Sequence, residues 1–230
     1  MRETVRDDGS VESGLQAVLF DMDGLLVDSE RLWLEVETEA VEWLGGTWGP
    51  EHQEKLVGGS VDIATAYMLE LTGADVPPAE LGRRMIEGMR ERLSACAPMM
   101  PGAKELLAEI RAAGVPAALV SSSHRVLLEP ALDAMGREHF ALSVAGDEVS
   151  RTKPDPEPYL TAVARLGAVP ERCVVLEDSP NGVAAAEAAG CVTVAVPNVL
   201  PVPPAPGRTV VGSLHEVDLR MLAGLVAAAG

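Results

Sequence analysis

Aromatic residues are scarce in this chain: two Phe, two Tyr and three Trp among 230 residues. The core must therefore be built mainly from Ala, Val and Leu. Positive charge is scarce too, with 18 Lys and Arg against 35 Asp and Glu, a formal net charge of −17. Without a basic cluster to grip a phosphate backbone, no nucleic-acid partner is expected, and the acidity reads as solubility. Only three cysteines occur, Cys96, Cys173 and Cys191, with no CxxC spacing. They read as reduced, buried thiols of a cytoplasmic protein, and none carries a nucleophile signature. No apolar run reaches the ~18 residues of a membrane span, so no membrane partner is expected. The opening "MRETVRDDGSVESG" lacks the apolar centre of a signal peptide and reads as a polar tail over residues 1–14.

What is present is a regular alternation. From Pro101 onward, short apolar runs alternate with helical periodicity. "VPAALVS", "ALSVAG", "CVVLEDS" and "CVTVAVP" read as buried strands. Between them lie "SSHRVLLEPALDAMG", where Pro130 marks a kink or early turn, "DPEPYLTAVARLG", with Leu160, Val163 and Ala164 on one face, and "NGVAAAEAAG". Such alternation predicts an α/β fold, a parallel sheet covered on both faces. Between Glu30 and Met100 the pattern is helical only. "AELGRRMIEGMRERLSA" spaces Leu81, Met85, Met89 and Leu93 by four, which predicts packing inside that unit. The expected division is a core of residues 15–30 and 99–230, with a helical cap of residues 31–98 inserted. "PNVLPVPPAPG" reads as a loop.

The polar residues in this scheme fall at strand ends. "VLFDMDGLLVDSE" closes an apolar run with Asp21 and Asp23, then Gly24. Ser121 follows "PAALV", Lys153 sits in "RTKPDPEPY", and Glu177 and Asp178 follow "CVVL". Ligands of open α/β sheets gather beyond the carboxyl ends of the strands, so these residues are expected to meet. Asp21, Glu177 and Asp178 offer hard oxygen ligands suited to Mg²⁺. Lys153 would offset phosphoryl charge, and Ser121 would donate to a phosphoryl oxygen. A carboxylate can attack phosphorus while a second one protonates the leaving alkoxide. Asp21 is read as that nucleophile and Asp23 as that acid/base.

"DMDGLLVDSE", Ser121 in "LVSSS", Lys153 in "TKPDPEPY" and "LEDSPNG" resemble, in order, the four motifs of the haloacid dehalogenase superfamily. The likeness runs from about Ala17 to about Pro197, and the branch resembled is that of β-phosphoglucomutase-like proteins and sugar-phosphate phosphatases. It implies a Rossmann-like, doubly wound parallel sheet with an inserted α-helical cap. It also implies a Mg²⁺-dependent phosphatase working through an aspartyl phosphate on a small-molecule phosphate ester. By resemblance, Mg²⁺ contacts Asp21, the main-chain carbonyl of Asp23, and Asp178, with Glu177 acting directly or through water. Gly24 and Ser122 then lie beside the phosphoryl group, and Gly58 and Ser60 of the cap loop "KLVGGSVD" touch the substrate.

Other readings share part of this pattern. A phosphosugar mutase shares all four motifs. A phospho-accepting receiver module shares the acids, hydroxyl and Lys, but its nucleophile lies on a middle strand and it has no long helical insert. A regulatory protein that lost activity keeps the fold alone. The mutase branch places a His where Trp33 stands, and Lys and Arg where Val57 and Val61 stand, so a clamp for a second phosphate is missing. The favoured substrate is thus a sugar or polyol monophosphate. The oligomeric state is open, and a monomer is compatible with the sequence. Among neighbouring residues, Asp28 and Ser29 are expected to cap the following helix. Ser123 is a candidate cap of the next helix, and His124 is a candidate substrate contact whose favoured place is the surface. His52, His139 and His215 are structural or exposed.

Overall fold

The computed structural model describes residues 14–53, 55–56 and 60–229. A short buried strand, β1 (Ala17–Phe20), is followed by α1 (Ser29–Trp43), the single turn α2 (Pro50–Gln53), α3 (Val61–Thr72) and α4 (Pro78–Ala95). Then come α5 (Ala103–Ala112), β2 (Ala117–Val120), α6 (Arg125–Met135), β3 (Leu142–Val144), α7 (Glu157–Leu166), β4 (Cys173–Glu177), α8 (Pro180–Ala188), β5 (Val192–Ala195), β6 (Arg208–Val210) and α9 (Leu219–Ala229). The six strands form one parallel sheet in the order β3-β2-β1-β4-β5-β6. The chain winds outward from β1 on one side, then returns to place β4 on the other. The carboxyl end of β1 is therefore the switch point where a crevice opens.

Strand periodicity divides the core into two layers. Val18 and Phe20 of β1, Leu119 of β2 and Val174 and Leu176 of β4 join one apolar cluster. Ala17 and Leu19, Val120, and Cys173 and Val175 join the other, with Tyr159, Ala162 and Val163 of α7. The first cluster runs on into α1, α3 and α4, so helical insert and sheet share one core. Leu81, Met85, Met89 and Leu93 are all within it, as their spacing predicts.

Two antiparallel chain segments join insert and sheet. The Asp28 N–H donates to the Pro98 carbonyl at 2.8 Å, and the Met100 N–H to the Leu26 carbonyl at 2.9 Å. Val27 and Met99 are bridged between them.

Several expectations are corrected. Pro130 lies inside a continuous α6. The buried face of α7 is Tyr159, Ala162 and Val163, whereas Leu160 and Ala164 are exposed; the helix is rotated from the phase expected. Asp28 occupies the N-cap of α1 but makes no side-chain capping bond, and the buried Ser29 hydroxyl has no partner. Cys96 is exposed, while Cys173 and Cys191 are buried. Burial raises their thiol pKa values to about 11 and about 12, which keeps both thiols protonated. No helix among the described residues is long and apolar enough to cross a membrane.

Candidate active site

β1 ends at Phe20, and the Asp21 N–H still bonds the Leu176 carbonyl of β4 at 3.1 Å. That ladder bond fixes Asp21 at the mouth of the crevice. The chain then turns tightly: Gly24 N–H donates to Val27 C=O at 2.8 Å, and Asp23 is bridged to Val27. Gly24 has φ 81°, and a Cβ built there lies 2.3 Å from an Asp178 carboxylate oxygen. Glycine is thus required twice, by conformation and by close approach. The Asn198 amide, just beyond β5, donates to the Gly24 carbonyl at 3.2 Å and steadies the turn.

Lys153 reaches in from the loop before α7 and is almost wholly buried. Its Nζ donates to Asp21 Oδ1 at 2.5 Å, Glu177 Oε1 at 2.6 Å and the Val120 carbonyl at 2.9 Å. All three ammonium protons are used. Burial opposes the charge on Lys153, but Asp21 and Glu177 overcome it and raise its pKa. Glu177 is held on every side. Its Oε1 also accepts from the Tyr159 hydroxyl at 2.5 Å, and its Oε2 from the Asp178 N–H at 3.1 Å and the Ser179 hydroxyl at 3.2 Å.

Asp23 follows in the turn after β1. Its Oδ2 accepts from the hydroxyls of Ser121 and Ser123, each at 2.9 Å, and Ser121 Oγ in turn accepts from the Ser123 N–H at 2.9 Å. Ser123 is therefore part of the site and not a helix cap. The N-cap of α6 is the exposed His124, which makes no side-chain capping bond.

Charge is unbalanced in this crevice. Burial, then the neighbouring acids Glu177, Asp178 and Asp23, push Asp21 well above the usual carboxylate range against the pull of Lys153. Burial and Glu177 push Asp178 up to about 8. One carboxylate oxygen each from Asp21, Glu177 and Asp178 lies within 4.8 Å of the others. Among the described residues, Asp21 Oδ2 has no donor and the Asp178 carboxylate has none beyond its own main-chain N–H. Three hard oxygens facing one space, with a single lysine to offset them, fit a divalent cation.

The crevice brings together Asp21, Asp23, Gly24, Ser121, Lys153, Glu177 and Asp178. Ser122 is adjacent but exposed. Ser60 caps α3, accepting from the Ile63 N–H at 3.4 Å, and among the described residues no hydrogen bond joins it to the strand-end residues. Gly58, like Val57, lies outside the described residues. Sequence reasoning did not find Ser123, Tyr159 or Asn198. Asn198 obeys the rule used for the others, a polar residue past a strand end, but it opens a Pro-rich loop that draws the eye elsewhere.

The haloacid dehalogenase-like hydrolase family model matches residues 15–190. The chain belongs to the haloacid dehalogenase-like hydrolases. It is 37% identical to the probable pseudouridine-5'-phosphatase of Drosophila melanogaster, over 78% of this chain and 80% of that one. It is 32% identical to a phosphorylated carbohydrates phosphatase of Thermotoga maritima, over 76% and 82%. Among solved structures, CbbY of Rhodobacter sphaeroides, crystallised with xylulose-(1,5)bisphosphate, superposes with a TM-score of 0.78 at 30% identity. That match covers 90% of this chain and 99% of CbbY. The family accounts for the fold and for the hydrolase class.

Proposed function

We propose that this hydrolase removes phosphate from small phosphorylated metabolites, sugar or polyol monophosphates in particular, through an aspartyl phosphate on Asp21. The carrying observation is Asp21 bonded to Lys153 at 2.5 Å, with Asp23 two residues on held by two serine hydroxyls. Relatives named as phosphatases of pseudouridine 5'-phosphate and of phosphorylated carbohydrates support the substrate class.

In this reading Asp21 attacks phosphorus, and the ester oxygen leaves with a proton from Asp23. Asp23 then takes a proton from water, which attacks phosphorus and releases Asp21. Lys153 offsets charge on the nucleophile and on the transferring group. Ser121 turns its hydroxyl from Asp23 to a phosphoryl oxygen. Mg²⁺ would be held by Asp21, Asp178 and the Asp23 carbonyl, and when bound it supplies charge neutralisation. With five hydrogen bonds to its two oxygens, Glu177 acts as the holder of Lys153 in this scheme. Gly24 and Ser122 border the phosphoryl position, and Ser60 lies farther out on the cap loop. The cap is taken as residues 31–98 and the polar segment as 1–14. A cytoplasmic location fits the buried, reduced thiols.

The test is phosphate release from a panel of phosphorylated metabolites, with a coupled assay for conversion of β-glucose 1-phosphate to glucose 6-phosphate. Steady release that stops in excess chelator and returns with Mg²⁺ is expected. Full turnover in chelator would contradict the metal assignment. Isomerisation outpacing release would replace the phosphatase with a mutase.

A further inference from the structure

Ser123 stands just before a helix that it does not cap. α6 is capped from outside: the Arg125 N–H, at the first residue of the helix, donates to Asp147 Oδ1 at 2.8 Å, from the loop after β3. A hydroxyl at such a position ordinarily serves the backbone. Here it is released for another partner. That partner is Asp23, whose Oδ2 accepts from the Ser123 hydroxyl at 2.9 Å. The main chain around Ser123 is held on both sides. Its carbonyl accepts from the Gly146 N–H at 2.9 Å, and its N–H donates to Ser121 Oγ at 2.9 Å. Gly146 packs so closely that a Cβ there would lie 2.1 Å from the Ser122 carbonyl oxygen. A hydroxyl presented from so fixed a loop orients the side chain it binds.

The two serines on Asp23 are not equivalent. A hydroxyl carries one proton and donates once. Ser121, directly after β2, gives its proton to a phosphoryl oxygen in the phosphatase scheme, and Asp23 then loses that donor. Ser123 donates to no other acceptor among the described residues, so it stays. Both serines bind Oδ2, and no hydrogen bond among the described residues reaches Oδ1. Oδ1 is thus the oxygen left for the leaving group.

We infer that Ser123 is the positioning residue of the acid/base step, the donor that keeps Asp23 aimed once Ser121 has turned to the phosphoryl group; this rests on the phosphatase reading above. In that step Asp21 forms its bond to phosphorus as the bond from phosphorus to the ester oxygen breaks. The proton on Asp23 Oδ1 passes to the ester oxygen. Asp23 is left as a carboxylate, with Ser123 still on Oδ2. Without Ser123, Asp23 enters the step with no side-chain donor among the described residues, and its orientation must be found at the moment of reaction.

The experiment measures kcat/KM for p-nitrophenyl, phenyl and benzyl phosphates, which are similar in size and run from a good leaving group to a poor one. This ratio reports the steps up to transfer onto Asp21, before water takes part. Ser123→Ala should lose about 10-fold on benzyl phosphate, the worth of one hydrogen bond to a charged group, less on phenyl phosphate and least on p-nitrophenyl phosphate. Ser123→Thr keeps the hydroxyl and should retain most of the benzyl phosphate activity. In an Asp23→Asn background, Ser123→Ala should cost less than about two-fold more, because its effect passes through Asp23. Melting curves confirm folding, and Ser123→Cys, a weak donor of similar shape, carries the comparison if Ser123→Ala does not fold. Equal losses on all three esters, no loss on benzyl phosphate, or the same loss repeated in the Asp23→Asn background would overturn the inference and leave the phosphatase reading intact. Wild-type activity confined to p-nitrophenyl phosphate would overturn it too, since no proton would then be supplied. A wild type inert toward all three esters would overturn the phosphatase reading itself and the inference with it.

Discussion

Lys153 holds together two carboxylates that would otherwise repel each other out of sight of water. Removing it leaves Asp21 and Glu177 buried without their cation. Lys153→Ala should therefore lose nearly all activity and also about 3–5 kcal/mol of stability, measured by chemical denaturation. Near-normal kinetics or an unchanged midpoint would show that the triad is not coupled as its bonds indicate. Asp23 tests differently. Asp23→Asn should fold normally and lose ~10²–10⁴-fold in turnover on alkyl phosphates, the usual worth of one proton transfer. The loss should be smaller for a leaving group as good as p-nitrophenolate. At this scale the sequence is informative about Asp21, Asp23, Ser121, Lys153, Glu177 and Asp178, because charged and hydroxylic residues at the ends of apolar strands are conspicuous. Ser123 is hidden by its neighbours. A Ser before a helix reads as a cap, and only the hydrogen bond from the Ser123 hydroxyl to Asp23 Oδ2 at 2.9 Å shows which way it turns.

The turn between β1 and α1 leaves no room for a side chain. Gly24→Ala would impose φ 81° on alanine and drive its Cβ into the Asp178 carboxylate. Activity should collapse through displacement of Asp178, and stability should fall by about 1 kcal/mol from the backbone alone. Wild-type phosphate release from that variant would mean Asp178 is free to move without consequence. In α1, burial and Glu30 push Glu37 up to about 7 against the hydrogen bond from Trp48. A raised carboxyl pKa means the folded state binds more protons than the unfolded state, so stability should decline as pH rises from about 4.5 to about 7. With partial solvent screening this amounts to about 1–2 kcal/mol. Glu37→Gln should flatten that segment of the pH–stability curve and raise the melting temperature at pH above 7; an identical slope in both proteins would remove Glu37 as its source. Elements with strong periodicity are readable in sequence, as β1, β2, β4, β5 and α4 show. β6 is not, because three half-buried residues after a Pro-rich loop carry no alternation. The expected phase of α7 is off because two prolines and a tyrosine at its start hide where the apolar stripe begins.

At the scale of the whole molecule, sheet order decides the chemistry. Winding outward from β1 and returning to set β4 beside it puts Asp21, Ser121 and Asp178 at one crevice, although they are distant in sequence. The order of strands is legible only through the family resemblance, since local patterns do not say which strands are neighbours. The resulting excess of negative charge should make the protein respond to divalent cations even without substrate. Mg²⁺ should raise the melting temperature as ligand linkage requires, and Asp178→Asn should abolish the shift. An equal shift in that variant would place the cation elsewhere.

The central claim is that phosphate passes through Asp21. Brief acid quenching during turnover of a phosphorylated substrate, followed by mass spectrometry of the peptide that spans Val18 to Glu30, tests it most directly. Phosphate should be found on Asp21 in the wild type, accumulate in Asp23→Asn with a good leaving group, and be absent from Asp21→Asn. Phosphate retained in Asp21→Asn, or found on another residue, would contradict the account.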